Sequence, residues 1–67
     1  MKRAAIKVGR TYRNRGKGAT QRKVLDIFCS CCTEKVEFEQ RDRVYILSLD
    51  SFAQWAGSEV TDGDAVL

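Results

Sequence analysis

Lys35 to Gln40 reads KVEFEQ, with apolar side chains at every second position. Val36 and Phe38 point one way while Lys35, Glu37 and Glu39 point the other. This is the alternation of an antiparallel strand with one face on a core and one in water. Val44-Tyr45-Ile46-Leu47 predicts the next strand, with Arg41-Asp42 as the tight turn between the two. Upstream, Gln21 to Cys29 predicts the strongest strand, because Val24, Leu25, Ile27 and Phe28 are β-branched or large and apolar. Strict alternation puts Lys23, Leu25, Ile27 and Cys29 on one of its faces and Arg22, Val24, Asp26 and Phe28 on the other. Apolar groups on both faces predict a central, bent strand. Ser30 to Glu34 follows as a turn. Val8 to Arg13 predicts an earlier strand with Val8, Arg10 and Tyr12 on one face, and Met1 to Lys7 a frayed lead or a short leading strand.

The period changes after Leu47. Leu49, Phe52, Ala53 and Ala56 fall at i, i+3, i+4 and i+7, which predicts one apolar face of a short helix or three-ten turn plugging the end of the sheet. Ser48 or Asp50 suits its N-cap, and Gly57 suits the left-handed residue that stops it. Ser58 to Leu67 is acidic and without period, so it predicts a disordered tail. With no proline, repeat or linker, the chain divides into one small domain over residues 1–57 and that tail over residues 58–67.

Charge changes this picture more than length does. The 67 residues allow one domain whose core is only marginally sufficient. The net charge of +3 hides a division. Met1 to Lys23 holds nine basic residues and no acid, hence +9; Val24 to Leu67 holds three basic and nine acidic, hence −6. Such asymmetry implies a polyanionic partner or two oppositely charged surfaces. No apolar run approaches the roughly 20 residues of a membrane helix, and no apolar stretch follows the basic start as a secretory signal requires. A cytoplasmic protein with no membrane partner is expected. The three cysteines, Cys29, Cys31 and Cys32, are too close and too few for a disulfide framework, so reduced thiols are expected.

The order of motifs is Gly9-Arg10-x-Tyr12-Arg13, a basic glycine turn, Val24-Leu25-x-Ile27, Val36-x-Phe38, then Tyr45-x-x-Ser48-Leu49-x-x-Phe52. From Val8 to Trp55 it resembles a family of small Src-homology-3-like β-barrels of uncharacterised function from bacteria and their phages. The resemblance implies a five-stranded, partly open barrel without enzymatic activity, and an origin in a phage or mobile element. The expected fold is therefore all-β with one short helix, an antiparallel, partly open barrel of four to five strands.

Ordinary enzyme chemistry has little to work with. There is no histidine, the usual general base and the commonest metal ligand. Glu37 and Glu39 lie on an exposed strand face with no apolar setting to raise a pKa. Gly16-Lys17-Gly18-Ala19-Thr20 lacks the spacing of a phosphate loop and leads into a strand rather than a helix. The cysteine cluster offers no second ligand pair for zinc, so Cys29 is expected to pack inward and Cys31 and Cys32 to be exposed turn residues. No catalytic residue, metal or cofactor is expected.

The basic group is the candidate site. Arg10, Arg13, Arg15, Lys17, Arg22 and Lys23 converge if the first two strands form a hairpin around the glycine loop, with Tyr12 among them to stack on a base or to join the core. This predicts a non-catalytic module that binds nucleic acid, chiefly through phosphates. The alternative is a phage or mobile-element module that binds and modulates a host protein, with an acidic surface as partner and Tyr45 and Trp55 as contacts. Either acts as a monomer or weak homodimer.

Overall fold

The computed structural model describes residues 1–16 and 20–60. Lys17 to Ala19 of the glycine loop and residues 61–67 of the expected tail lie outside the described residues. The described chain is all-β with one short helix. It runs from a 3-10 turn at Arg3–Ala5 to β1 (Thr11–Asn14), β2 (Gln21–Ser30), β3 (Thr33–Gln40), β4 (Arg43–Ser48), α1 (Leu49–Trp55) and β5 (Ala56–Val60). The strands form one antiparallel sheet in the order β4-β3-β2-β1-β5, so β2 is central as expected. The sheet does not close into a barrel; β4 and β5 are its two edges.

The alternation expected for β3 is present, with Val36 and Phe38 buried. In β2 it breaks. Val24 opposes Phe38 and Asp26 opposes Glu37, so Leu25 is an extra residue bulged out of the ladder. A bulge inverts the side-chain phase beyond it. Arg22, Val24 and Ile27 therefore face the core, while Lys23, Asp26 and Phe28 face away. Strict alternation had placed Ile27 with Lys23. A bulge of this kind is the local feature that bends a strand.

Both later hairpins close through two residues held at positive φ, Cys31 (50°) and Cys32 (65°) between paired Ser30 and Thr33, and Arg41 (51°) and Asp42 (64°) between paired Gln40 and Arg43. Positive φ at both central positions is the geometry whose twist matches that of the flanking strands. It costs a side-chain-bearing residue roughly 1–2 kcal/mol. Exchanging Cys31→Asn together with Cys32→Gly is therefore expected to stabilise the fold by about 1 kcal/mol. Thermal denaturation should register this as a rise of about 4–8 °C; an unchanged or lower midpoint would contradict the strain. Cys29 does not pack inward as expected. It opposes Glu34 near the hairpin tip, and all three thiols are exposed.

One layer covers the core face of the sheet. Ile6, Tyr12, Val24, Val36, Phe38, Leu49, Phe52, Ala53 and Ala56 are buried together, and Met1, Ile27, Leu47 and Trp55 pack against them. The helical face read from the sequence is the buried one. Ser48 caps α1, its hydroxyl accepting from the Ser51 N–H at 3.1 Å. The leading residues are neither frayed nor a strand: Ile6 is buried, and the Met1 amine donates to the Ala53 and Ala56 carbonyls at 2.9 and 3.2 Å. Val8 and Gly9 form a turn ahead of β1, with Gly9 at φ 85° and Val8 exposed, so the first strand starts at Thr11 rather than Val8.

Gly57 does not end the helix through a left-handed conformation. α1 passes directly into β5, with Ala56 already extended. Gly57 lies where β5 slips register against β1, and a Cβ there would sit 2.8 Å from Arg15 Cα. Glycine is required at this point by a close backbone approach. Ser58, Glu59 and Val60 are strand residues opposed to Arg13, Tyr12 and Thr11, so the part of the expected tail that is described belongs to the sheet. Their lack of a strong apolar pattern follows from their place on a short edge strand.

Candidate functional site

The first two strands do pair as a hairpin, Thr11 with Lys23, Tyr12 with Arg22 and Arg13 with Gln21. Pairing does not collect the cations, because successive side chains leave a strand on opposite faces. Arg13 and Lys23 are exposed on the face away from the core, and Arg22 is on the core side. Arg10 is engaged with Glu59 of β5 at 2.9 Å, whose hydrogen bond and charge raise the Arg10 pKa. Arg15 is exposed beyond the end of β1, its backbone N–H donating to the Trp55 carbonyl at 3.2 Å. Lys17 lies outside the described residues. The single patch expected from residues 10 to 23 is thus divided between two faces. Of the two roles expected for Tyr12, the core one holds: it is fully buried, so no base can stack on its ring.

On the core side the structure brings together residues that the sequence had assigned to different sites. The Arg22 guanidinium lies over two rings, 4.7 Å from the centroid of Phe38 and 4.2 Å from that of Trp55. Its Nε–H donates to Gln40 Oε1 at 2.7 Å. Partial burial lowers the Arg22 pKa from its ordinary value, though a guanidinium stays charged in a protein. Among the described residues no carboxylate lies within ion-pair distance of it. Tyr45 stacks on the opposite part of this cluster, its ring 5.8 Å from Phe38 at 27°, and remains 43% exposed. Arg22, Phe38, Gln40, Tyr45, Ile46 and Leu47 line a cavity of about 310 Å³.

Sequence reasoning named Arg22, Tyr45 and Trp55 but missed Phe38, Gln40 and Leu47 as site-lining residues. The available signal was phase: Gln40 is two residues beyond Phe38 and Arg22 two before Val24, and Val24 and Phe38 oppose each other. The arrangement can stack on aromatic or planar groups and offer a partly desolvated cation to an anion.

A second, more polar concavity of about 450 Å³ lies at the hairpin end, lined by Met1, Arg13, Asn14, Arg15, Gly16, Gly57 and Ser58. Asn14 Oδ1 is buried beside it and has no hydrogen-bond partner among the described residues. Among the described residues no three His, Cys, Asp or Glu side chains are grouped to hold a metal ion, and no helix is long and apolar enough to cross a membrane.

The fold and this geometry define a small open antiparallel sheet, covered on one face and carrying a cation-aromatic concavity beside one edge. Comparison with known protein families, with curated proteins and with solved structures finds no match for this chain.

Proposed function

We propose that this chain is a non-catalytic binding module that recognises another protein through the concavity formed by Arg22, Gln40, Tyr45 and Leu47, with the Trp55 ring against Arg22. The observation that carries this reading is the Arg22 guanidinium, placed over the rings of Phe38 and Trp55 and paired with no carboxylate among the described residues. A half-buried cation beside an exposed tyrosine is the composition of an interaction hot spot. The motif resemblance to small Src-homology-3-like barrels fits a phage or mobile-element factor that acts in the cytoplasm on an acidic host protein.

A second reading is nucleic-acid binding at the hairpin end. Arg13 and Arg15 line the polar concavity there and are exposed. Arg13, Arg15 and Lys23 then supply the phosphate contacts.

One experiment separates the two. The chain is immobilised and exposed to cell lysate with and without nuclease, beside the variants Tyr45→Ser and Arg13→Gln/Arg15→Gln. Protein recognition is expected to retain a nuclease-resistant, salt-tolerant partner that Tyr45→Ser loses and the arginine variant keeps. Partners that disappear with nuclease, weaken steeply with salt and depend on Arg13 and Arg15 would sink this reading in favour of the second.

A further inference from the structure

The two edges of the sheet differ in how they meet solvent. β5 is short, breaks register at Gly57 and carries Glu59, all features that discourage another strand from pairing. β4 has no register break, and its one charged residue, Arg43, stands at its first position. Its ladder with β3 runs without a register shift from Gln40 opposite Arg43 to Lys35 opposite Ser48. From Val44 to Leu47 it holds no charge, proline or glycine. Its other side is unpaired among the described residues. Val44, Tyr45 and Ile46 are successive and exposed by 54%, 43% and 53%. Because alternate residues leave a strand on opposite faces, apolar surface is open on both sides of this edge.

We propose that β4 is a docking edge that takes an extended segment of a partner protein as a sixth strand, with apolar side chains laid on Val44 and Ile46 and a carboxylate entering the Arg22 cavity. This rests on the protein-recognition reading above. Main-chain pairing along an open edge supplies sequence-independent attraction, and alternate side chains supply the choice of partner. The two faces ask for different residues. On the core side the cavity is lined both by Arg22 and by Tyr45 and Leu47 of β4, so a side chain on that face of an added strand is directed toward the space that Arg22 borders. Arg43, opposed to Gln40, adds a second cation on that face. On the other side Val44 and Ile46 are opposed to Glu39 and Glu37, so an acidic side chain there meets like charge and an apolar one does not. The matching segment alternates acidic and apolar residues and contains no proline, which cannot donate to the ladder.

The probe is a displayed library of short random peptides, selected on the full chain. Enriched peptides are synthesised and mapped by amide chemical shifts and hydrogen exchange. The expected winners alternate acidic and apolar residues, perturb the cavity and slow exchange of amides in β4. Replacing their glutamates by glutamine should weaken binding about tenfold, a change made in the peptide so that the fold is untouched. Ile46→Lys in the protein should weaken it similarly. Peptides that fill the cavity but leave β4 exchange unaltered, or that are rich in proline, overturn the strand-addition proposal and leave the recognition reading standing. Absence of any cavity-binding peptide removes both. Slowed β4 exchange in the free protein that grows with its concentration would assign the edge to a second copy of this chain, and would also overturn the proposal.

Discussion

Tyr12→Ala is expected to abolish cooperative unfolding, and Tyr12→Phe to leave a folded protein weaker by about 1–3 kcal/mol. The ring is fully buried and meets Phe52 edge-on at 5.9 Å. Truncating a buried aromatic costs about 3–5 kcal/mol, which is as much as a core of this size supplies. The hydroxyl has a separate role. It donates to the Ala5 carbonyl at 2.8 Å and accepts from the Lys7 N–H at 2.7 Å, tying the segment after the 3-10 turn to the sheet. Phenylalanine keeps the ring but leaves both backbone groups without their partner. Denaturant unfolding followed by the emission of Trp55, the chain's one tryptophan, measures both variants. A Tyr12→Phe protein as stable as the parent would show those two bonds to be without net value.

The same residue makes the fold sensitive to alkali. Burial, the largest influence, raises the Tyr12 pKa above its ordinary 10.0, and the Lys7 N–H only partly offsets it. Above pH 10.0 the unfolded phenol loses its proton first while the native one keeps it. The unfolded state then binds fewer protons, and stability falls as pH rises. Below that pH the contribution is fully present. Tyr12→Phe should show a shallower decline over this range.

Phe52→Ala is the second large effect expected. The Phe52 ring lies 5.3 Å from Phe38, 5.4 Å from Trp55 and 5.9 Å from Tyr12, so it is the common neighbour of the aromatic cluster. Its removal opens a cavity that three rings cannot fill without moving, at a cost of about 3–5 kcal/mol. Two of those rings hold Arg22. Loss of Phe52 should therefore shift Trp55 emission to the red under conditions that still favour folding. Phe52→Leu should keep the fold and disturb the stack. An Ala variant with unaltered emission and midpoint would show that α1 does not anchor the sheet.

Much of this architecture is legible in local pattern. KVEFEQ gives away β3 because a half-buried strand must alternate, and Leu49, Phe52, Ala53 and Ala56 give away α1 because one helical face must be apolar. The turn at Arg41-Asp42 is legible as a break between apolar runs, whereas the turn expected over Ser30 to Glu34 narrows to Cys31 and Cys32, because Ser30 pairs with Thr33 and Cys29 with Glu34. β5 is not, since Ala56 to Val60 carries little apolar pattern and is held by its pairing with β1. The candidate site was half legible. Arg22, Tyr45 and Trp55 stood out as residue types, but nothing local joins a cation on β2 to aromatics on β4 and α1.

What the chain determines by itself is which segments extend, which one coils, and which side of each seeks a core, because those depend on neighbours within a few residues. Tertiary structure alone decides where the phase of β2 slips at Leu25, which arginines share a face, and that the outer side of β4 has no strand beside it among the described residues. Each of these depends on what lies across the sheet, and long-range pairing leaves no mark in local spacing.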